Sequence, residues 1–282
     1  MQPLNRLIAA IAALVGALMI LSACQTQPAP IPEVTIKAAD FSFEAPDQIE
    51  AGLVSLRLAN VGHEDHNVQL VRLNDGVTLE QFEAALQQGA EAALALPLVT
   101  IAGGVGVATP NHHEQVVLNL AEGQYVMLCF FASEDGVPHL AKGMFKPIQV
   151  VARKSQAVVQ EPKSDGSIVM KDFRFEMPAE IKAGRLTWKV TNQGARPHEI
   201  VIAKLLPGKT LDDFMAFMQT YEGEPPVEDA EAGRVAAMGP GQTGWVNLDL
   251  SAGDYVALCF VPDAATGKAH AEMGMIQFFS VK

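Results

Sequence analysis

The sequence is written twice. DFSFEAPDQIEAGLVSLRLANVG, from Asp40, lies over DFRFEMPAEIKAGRLTWKVTNQG, from Asp172. HNVQLVRLNDGVTLEQF lies over HEIVIAKLLPGKTLDDF, and VVLNLAEGQYVMLCF over VNLDLSAGDYVALCF. The offset is 132 residues at His66 and His198, 130 at Cys129 and Cys259, and 131 at His139 and His270. So long a repeat confines the chain to one structural unit made twice. The units fall at 34–152 and 168–282, with the mostly polar stretch 153–167 as a linker.

Within a unit the local signals are those of strands. Val54, Leu56 and Leu58 alternate with other residues, as do Leu186, Trp188 and Val190, the period of a half-buried strand. Val117 to Leu120, then Ala-Glu-Gly, then Tyr125 to Phe130 reads as strand, turn and buried strand. One segment breaks the pattern. Thr78 can cap, Gln81 can reach back to it, and Leu79, Phe82 and Leu86 share a face, which predicts a short helix. Thr210-Leu-Asp-Asp-Phe repeats that signal. Many short strands with one helical insertion per unit predict an all-β protein, two tandem Greek-key β-sandwiches. With 49% apolar and only 18% charged residues, 282 residues suffice for two such cores.

The first residues read as an address. MQPLNR carries one positive charge, Leu7 to Ala23 is apolar, and Cys24 follows. Leu21-Ser22-Ala23-Cys24 resembles a bacterial lipobox, which implies cleavage before Cys24, its lipidation, and a mature chain held to a membrane by acyl groups. The other reading is an uncleaved membrane anchor. Either places the remainder outside the cytoplasmic membrane, on the periplasmic or cell-surface side. Residues 25–33, with three prolines, read as an extended tether. The net charge of −12 argues against nucleic acid and would suit a basic protein partner.

The chain has three cysteines, so after Cys24 only Cys129 and Cys259 remain. They hold the same place in their repeats, and a disulfide would require two equivalent interior positions to meet. Unpaired thiols in an oxidising compartment survive by metal ligation or deep burial. Each cysteine is followed by a histidine and then, five positions on, by a methionine. The candidate ligands are therefore His66, Cys129, His139 and Met144, and again His198, Cys259, His270 and Met275. Two imidazoles and a thiolate with a weak thioether form the donor set of type 1 copper, since sulfur suits Cu(I) and imidazole accommodates Cu(II). Met273 competes with Met275 for the axial place in the second repeat.

The segments carrying these residues resemble the plastocyanin-type cupredoxins. Asn60-Val-Gly-His-Glu-Asp-His66 and Asn192-Gln-Gly-Ala-Arg-Pro-His198 look like that family's first-histidine segment. Gly123-Gln-Tyr125 and Gly253-Asp-Tyr255 resemble its approach to the cysteine, and His139 to Met144 and His270 to Met275 match its spacing. The resemblance implies a cupredoxin fold, up to two type 1 coppers, and one-electron transfer with a redox partner protein. It also implies that His139 and His270 present an imidazole edge to that partner. Nine residues separate Cys from His in the first repeat and ten in the second, longer than in small soluble members and closer to the type 1 domain of copper nitrite reductase.

An enzyme of the nitrite reductase or multicopper oxidase kind needs further histidines, one beside the cysteine or several in His-x-His pairs. Leu128 and Leu258 precede the cysteines and no His-x-His occurs, so the sequence predicts a carrier without catalysis. His63, His112 and His113 have no counterparts in the second repeat and read as surface or supporting residues. Two alternatives use the same residues: a copper carrier or buffer, and a metal-free cupredoxin-like binding module.

Overall fold

The computed structural model describes residues 29–89, 98–220, 222–228 and 231–282. The apolar leader and Cys24 lie outside them, and among the described residues no helix is long and apolar enough to cross a membrane. The chain divides into residues 1–30 with 157–160, and residues 31–156 with 161–282. In the first unit the described residues include a parallel bridge between Ala29 and Val159. The second unit contains both repeats.

The first repeat supplies β1 (Glu33–Ala39), β2 (Ser42–Glu44), β3 (Gln48–Glu50), β4 (Gly52–Asn60), β5 (His66–Leu73), α1 (Leu79–Leu86), β6 (Val99–Ala108), β7 (His113–Leu120), β8 (Gly123–Leu128) and β9 (Phe145–Val151). The second supplies β10 (Gly166–Lys171), β11 (Arg174–Glu176), β12 (Gly184–Asn192), β13 (His198–Lys204), α2 (Leu211–Thr220), β14 (Gly233–Met238), β15 (Thr243–Leu250), β16 (Gly253–Leu258) and β17 (Ile276–Val281). The predicted all-β class is what the structure shows, and both sheets run through both repeats. One has the order β11-β10-β12-β15-β7-β4-β1-β2, the other β17-β16-β13-β14-β6-β5-β8-β9-β3.

The alternation read in the sequence is the reason the sheets face each other. Val54, Leu56 and Leu58 on β4 are buried, and Trp188 and Val190 do the same on β12. They pack with Leu70, Tyr125 and Met127 of the opposite sheet in one apolar cluster that extends through Val246, Tyr255 and Val281. Neighbouring residues of a strand point to opposite faces. Cys129 and Cys259 accordingly join that interior, while Leu128 and Leu258 lie in separate clusters beneath the helices.

The helices exist to cover that outer face. Phe82 of α1 is fully buried among Val71, Val99, Val126, Leu128 and Leu140, and Phe214 of α2 is buried beside Val201, Val256 and Leu258. Burying one such phenylalanine is worth about 1.5–3 kcal/mol. Both helices start at the predicted threonine. Thr78 Oγ1 accepts from the Gln81 N–H while Gln81 Oε1 accepts from the Thr78 N–H, and Thr210 and Asp213 exchange the same pair of bonds.

Two strand pairs join the repeats, β6 with β14 and β7 with β15, both antiparallel. The register sets Val105 opposite Val235 and Val116 opposite Val246, so residues 130 apart, equivalent in the two repeats, face each other in both pairs. His66 lies level with Ala108 on β6, whereas His198 lies level with Met238, which pairs with Ala102. At about 3.3 Å per residue and about 4.8 Å between strands, the two histidines stand on the order of 25 Å apart, towards opposite ends of the shared sheet.

Candidate metal centres

Each centre is assembled from three places in its repeat. The first histidine, His66 or His198, opens β5 or β13 and is held by the loop before it. Asn60 organises that loop: its Nδ2 donates to the carbonyls of Glu64 and Ala108, both at 2.7 Å, and its Oδ1 accepts from the Gly62 N–H. Asn192 makes the matching bonds to Arg196, Met238 and Gly194. A carboxylate from the turn after β1 or β10 completes the hold. Asp40 Oδ1 accepts from the His63 N–H at 2.8 Å and meets His66 Nε2 at 3.4 Å; Asp172 Oδ1 accepts from the Ala195 N–H and meets His198 Nε2, both at 3.0 Å. Glycine is required at 62 and 194 because a Cβ there would collide with that carboxylate.

The cysteine and second histidine belong to the loop after β8 or β16. Its length is absorbed away from the ligands. In the first repeat the loop folds on itself through an Ala132–Pro138 bridge and a Ser133 N–H to Val137 carbonyl bond of 3.1 Å. In the second, Pro262 bridges Ala269, and the extra residue fits inside a turn closed by an Asp263 N–H to Lys268 carbonyl bond of 2.8 Å. The ends of both loops are then fixed identically. His139 N–H donates to the Phe131 carbonyl and Met144 N–H to the His139 carbonyl; His270 and Met275 do the same with Val261 and His270. A single 3-10 turn carries each histidine, and Gly143 and Gly274 end it in the left-handed region at φ 98° and 103°.

The result is two buried clusters of like geometry. His66, Cys129 and His139 offer ligand atoms that all lie within 4.8 Å of one another, as do those of His198, Cys259 and His270. His66 Nδ1 is 3.1 Å from His139 Nδ1, and Cys129 Sγ is 3.9 Å and 3.5 Å from the two. The second cluster has 3.0 Å, 3.9 Å and 3.5 Å. Bonds of about 2.0 Å to nitrogen and about 2.3 Å to sulfur place donors that share one ion roughly 3–4 Å apart. The residues fit a single small cation in each cluster, and the donor set is that of type 1 copper. Met144 and Met275 are fully buried with their backbones tied to Cys and His, whereas Met273 is only half-buried, its Sδ 3.8 Å from Thr266 Oγ1.

Burial sets the protonation states. It lowers the pKa of His66, His198 and His270, which favours neutral imidazoles able to bind a cation. It raises that of Cys129, and pushes Cys259 up to about 12 with the nearby Glu199 carboxylate adding to the effect. Without a cation the sulfurs are thiols, and a cation must displace their protons. Both cysteines are free and buried.

Three features of these centres were not read from the sequence. Phe41 and Phe173 hold φ of 65° and 62°, and their rings meet His139 and His270 edge-on at 5.3 Å and 5.2 Å. A bulky residue in that region stores about 1–3 kcal/mol, here at matched positions against a ligand imidazole. Asp40 and Asp172 are the second feature, and the repeated Asp-Phe pair that opens the alignment was the available signal. The third is the covering of the second histidine. His139 and His270 do not present an open edge: their side chains are 0% and 1% exposed, and Glu64 Oε2 caps His139 Nε2 at 2.8 Å. His63 is exposed and bonded to Asp40 at 2.8 Å, while His112 and His113 are exposed and belong to neither cluster.

The fold and the two centres define an all-β, two-sheet protein with a repeated His-Cys-His-Met donor set. No protein-family model matches the chain, and no curated protein matches it. Among solved structures it is similar to dithionite-reduced auracyanin from Roseiflexus castenholzii, with 20% identity, 41% of this chain and 94% of that one covered, and a TM-score of 0.29. Auracyanin A, a blue copper protein from Chloroflexus aurantiacus, shares 21% identity over 44% of this chain and all of its own, with a TM-score of 0.29. A copper-containing nitrite reductase from Thermus scotoductus shares 13% over 90% of this chain and 62% of its own, with a TM-score of 0.25. Likenesses this slight decide nothing about the chemistry, which rests on the side chains.

Proposed function

We propose that the protein is an extracytoplasmic one-electron carrier with up to two type 1 copper sites, one at His66, Cys129, His139 and Met144, the other at His198, Cys259, His270 and Met275. The observation that carries the proposal is the convergence, in both repeats, of two imidazole Nδ1 atoms and one sulfur on a single buried point. Copper would supply a couple between Cu(I) and Cu(II) that these mixed donors tolerate in either state. The chain's own residues prepare the place. Asp40 and Asp172 keep the proton of the first imidazole on Nε2, which leaves the Nδ1 lone pair facing the cluster. Burial excludes water, and the backbone bonds of the loop hold Cys, His and Met in one frame whether or not the charge at the site changes.

Tethering through lipidated Cys24, and exchange of electrons with a basic partner protein, are parts of the same proposal that rest on the N-terminal sequence and the net charge of −12. A carrier is preferred to an oxidase because Leu128 and Leu258, not histidines, precede the two cysteines and the sequence has no His-x-His pair. Copper titration of the full chain tests the reading. Two equivalents should bind with an intense thiolate charge-transfer band, and Cys129→Ser and Cys259→Ser should each remove one equivalent and its share of the band. Full occupancy without that band would sink it, and binding of Cu(I) alone would favour a copper buffer.

A further inference from the structure

We infer that the two sites are electronically unequal, with the His66–Cys129–His139 site at the lower reduction potential because Glu64 caps its outer imidazole and repeat 2 has Arg196 in that place. The inference rests on the copper reading above and deepens it. Repeat equivalence at the offset of 132 sets Glu64 against Arg196. Glu64 Oε2 lies 2.8 Å from His139 Nε2, whereas His270 Nε2 is buried with no hydrogen-bond partner in the protein. A carboxylate that accepts the outer N–H of a ligand imidazole makes the other nitrogen a stronger donor, and its charge favours the more positive state of the ion.

The remaining charges are mixed at both sites, and none of them bonds the outer nitrogen of a second histidine. Asp40 and Asp172 contact the first histidine in both repeats, at 3.4 Å and 3.0 Å. Asp172 is further paired with Arg196 at 3.6 Å, which also reaches Asp263 at 3.4 Å. At the cysteine, Asn67 Oδ1 accepts the Phe130 N–H in the first repeat, and Glu199 Oε1 accepts the Phe260 N–H in the second. That second carboxylate would lower its own site's potential if it stood alone. It does not, because Arg234 grips its other oxygen through two bonds of 3.2 Å and 2.9 Å. The first site therefore faces Glu64 and Asp40 with Lys142 as the nearby cation, and the second faces Asp172, Asp263 and Glu199 with Arg196 and Arg234 among them; only the first has a carboxylate bonded to the outer nitrogen of its second histidine. A single electron shared between the sites would rest on the second, leaving the first oxidised, with no proton moved.

Redox titration at pH 8 of the two single-site proteins, each a full chain otherwise, reads the difference directly. Cys259→Ser reports the first site and Cys129→Ser the second, both through the thiolate band. The first site should be at least tenfold harder to reduce, which is about 59 mV for a one-electron couple. Glu64→Gln in the Cys259→Ser chain should ease its reduction by about tenfold with copper stoichiometry retained, while Glu134→Gln in the exposed loop after β8 should not. The unaltered chain should titrate in two steps, which keeps the question answerable if a cysteine variant fails to fold. Equal potentials, a lower second site, or no response to Glu64→Gln would overturn the inference while leaving the copper reading standing. Absence of a band in both sites would defeat the copper reading itself.

Discussion

Glu114 on β7 carries a carboxyl that burial pushes up to about 7, with Glu231 adding repulsion and His112 offsetting part of it. The folded state therefore binds this proton more tightly than the unfolded chain, whose carboxyl has the ordinary value of 4.5. The stabilisation is complete below the unfolded value and is lost as pH rises through the folded one. Relative to Glu114→Gln, the urea midpoint of the unaltered apoprotein should fall as pH rises from 4.5 to about 7. At pH 8 the variant should be the more stable by on the order of 1 kcal/mol, allowing for partial exposure. Parallel pH profiles would show that Glu114 is not the group responsible. Nothing in His-His-Glu-Gln announces such a residue, because its shift comes from burial and then from Glu231, which the chain brings back from another repeat. The two His-Cys-His groups were legible for the opposite reason: the same three residues appear twice, in one order. The difference between Glu64 and Arg196 was also visible, but had no meaning until folding set residue 64 against residue 139.

At the scale of elements, what could be read was what is local. The α1 start follows from Thr78 and Gln81 alone, and Thr78→Ala should cost the helix about 1 kcal/mol. Hydrogen exchange from Phe82 to Leu86 should quicken in that variant, with little change at β4; unchanged exchange would mean that packing of Phe82, not the cap, fixes the helix. The long interval between cysteine and second histidine was the element least predictable from its residues. Its loop is ordered by backbone bonds such as Ser133 N–H to the Val137 carbonyl and Asp263 N–H to the Lys268 carbonyl, which impose little side-chain pattern. The parallel pairing of β1 with β4, and of β10 with β12, is equally silent in sequence, since it joins segments whose alternation would suit either direction.

At the scale of the molecule, the repeat announced two copies but not the way they meet. Strand pairing between β6 and β14 and between β7 and β15 is set by edges, and an edge is defined only once the rest of its sheet exists. The facing of Val105 with Val235 and of Val116 with Val246 has a consequence for ancestry and for engineering. Like opposed to like across an antiparallel pair is the signature of an isologous contact, in which one patch is its own complement. A chain of residues 29–156 alone would thus expose two strand edges that a second copy of itself can satisfy. Sedimentation of that fragment should give a homodimer, and Val116→Pro should return it to monomer; a stable monomer at the start would refute the self-complementary edge. The full chain is what duplication and fusion of such a dimer would leave, with its two halves since free to diverge at Glu64 and Arg196.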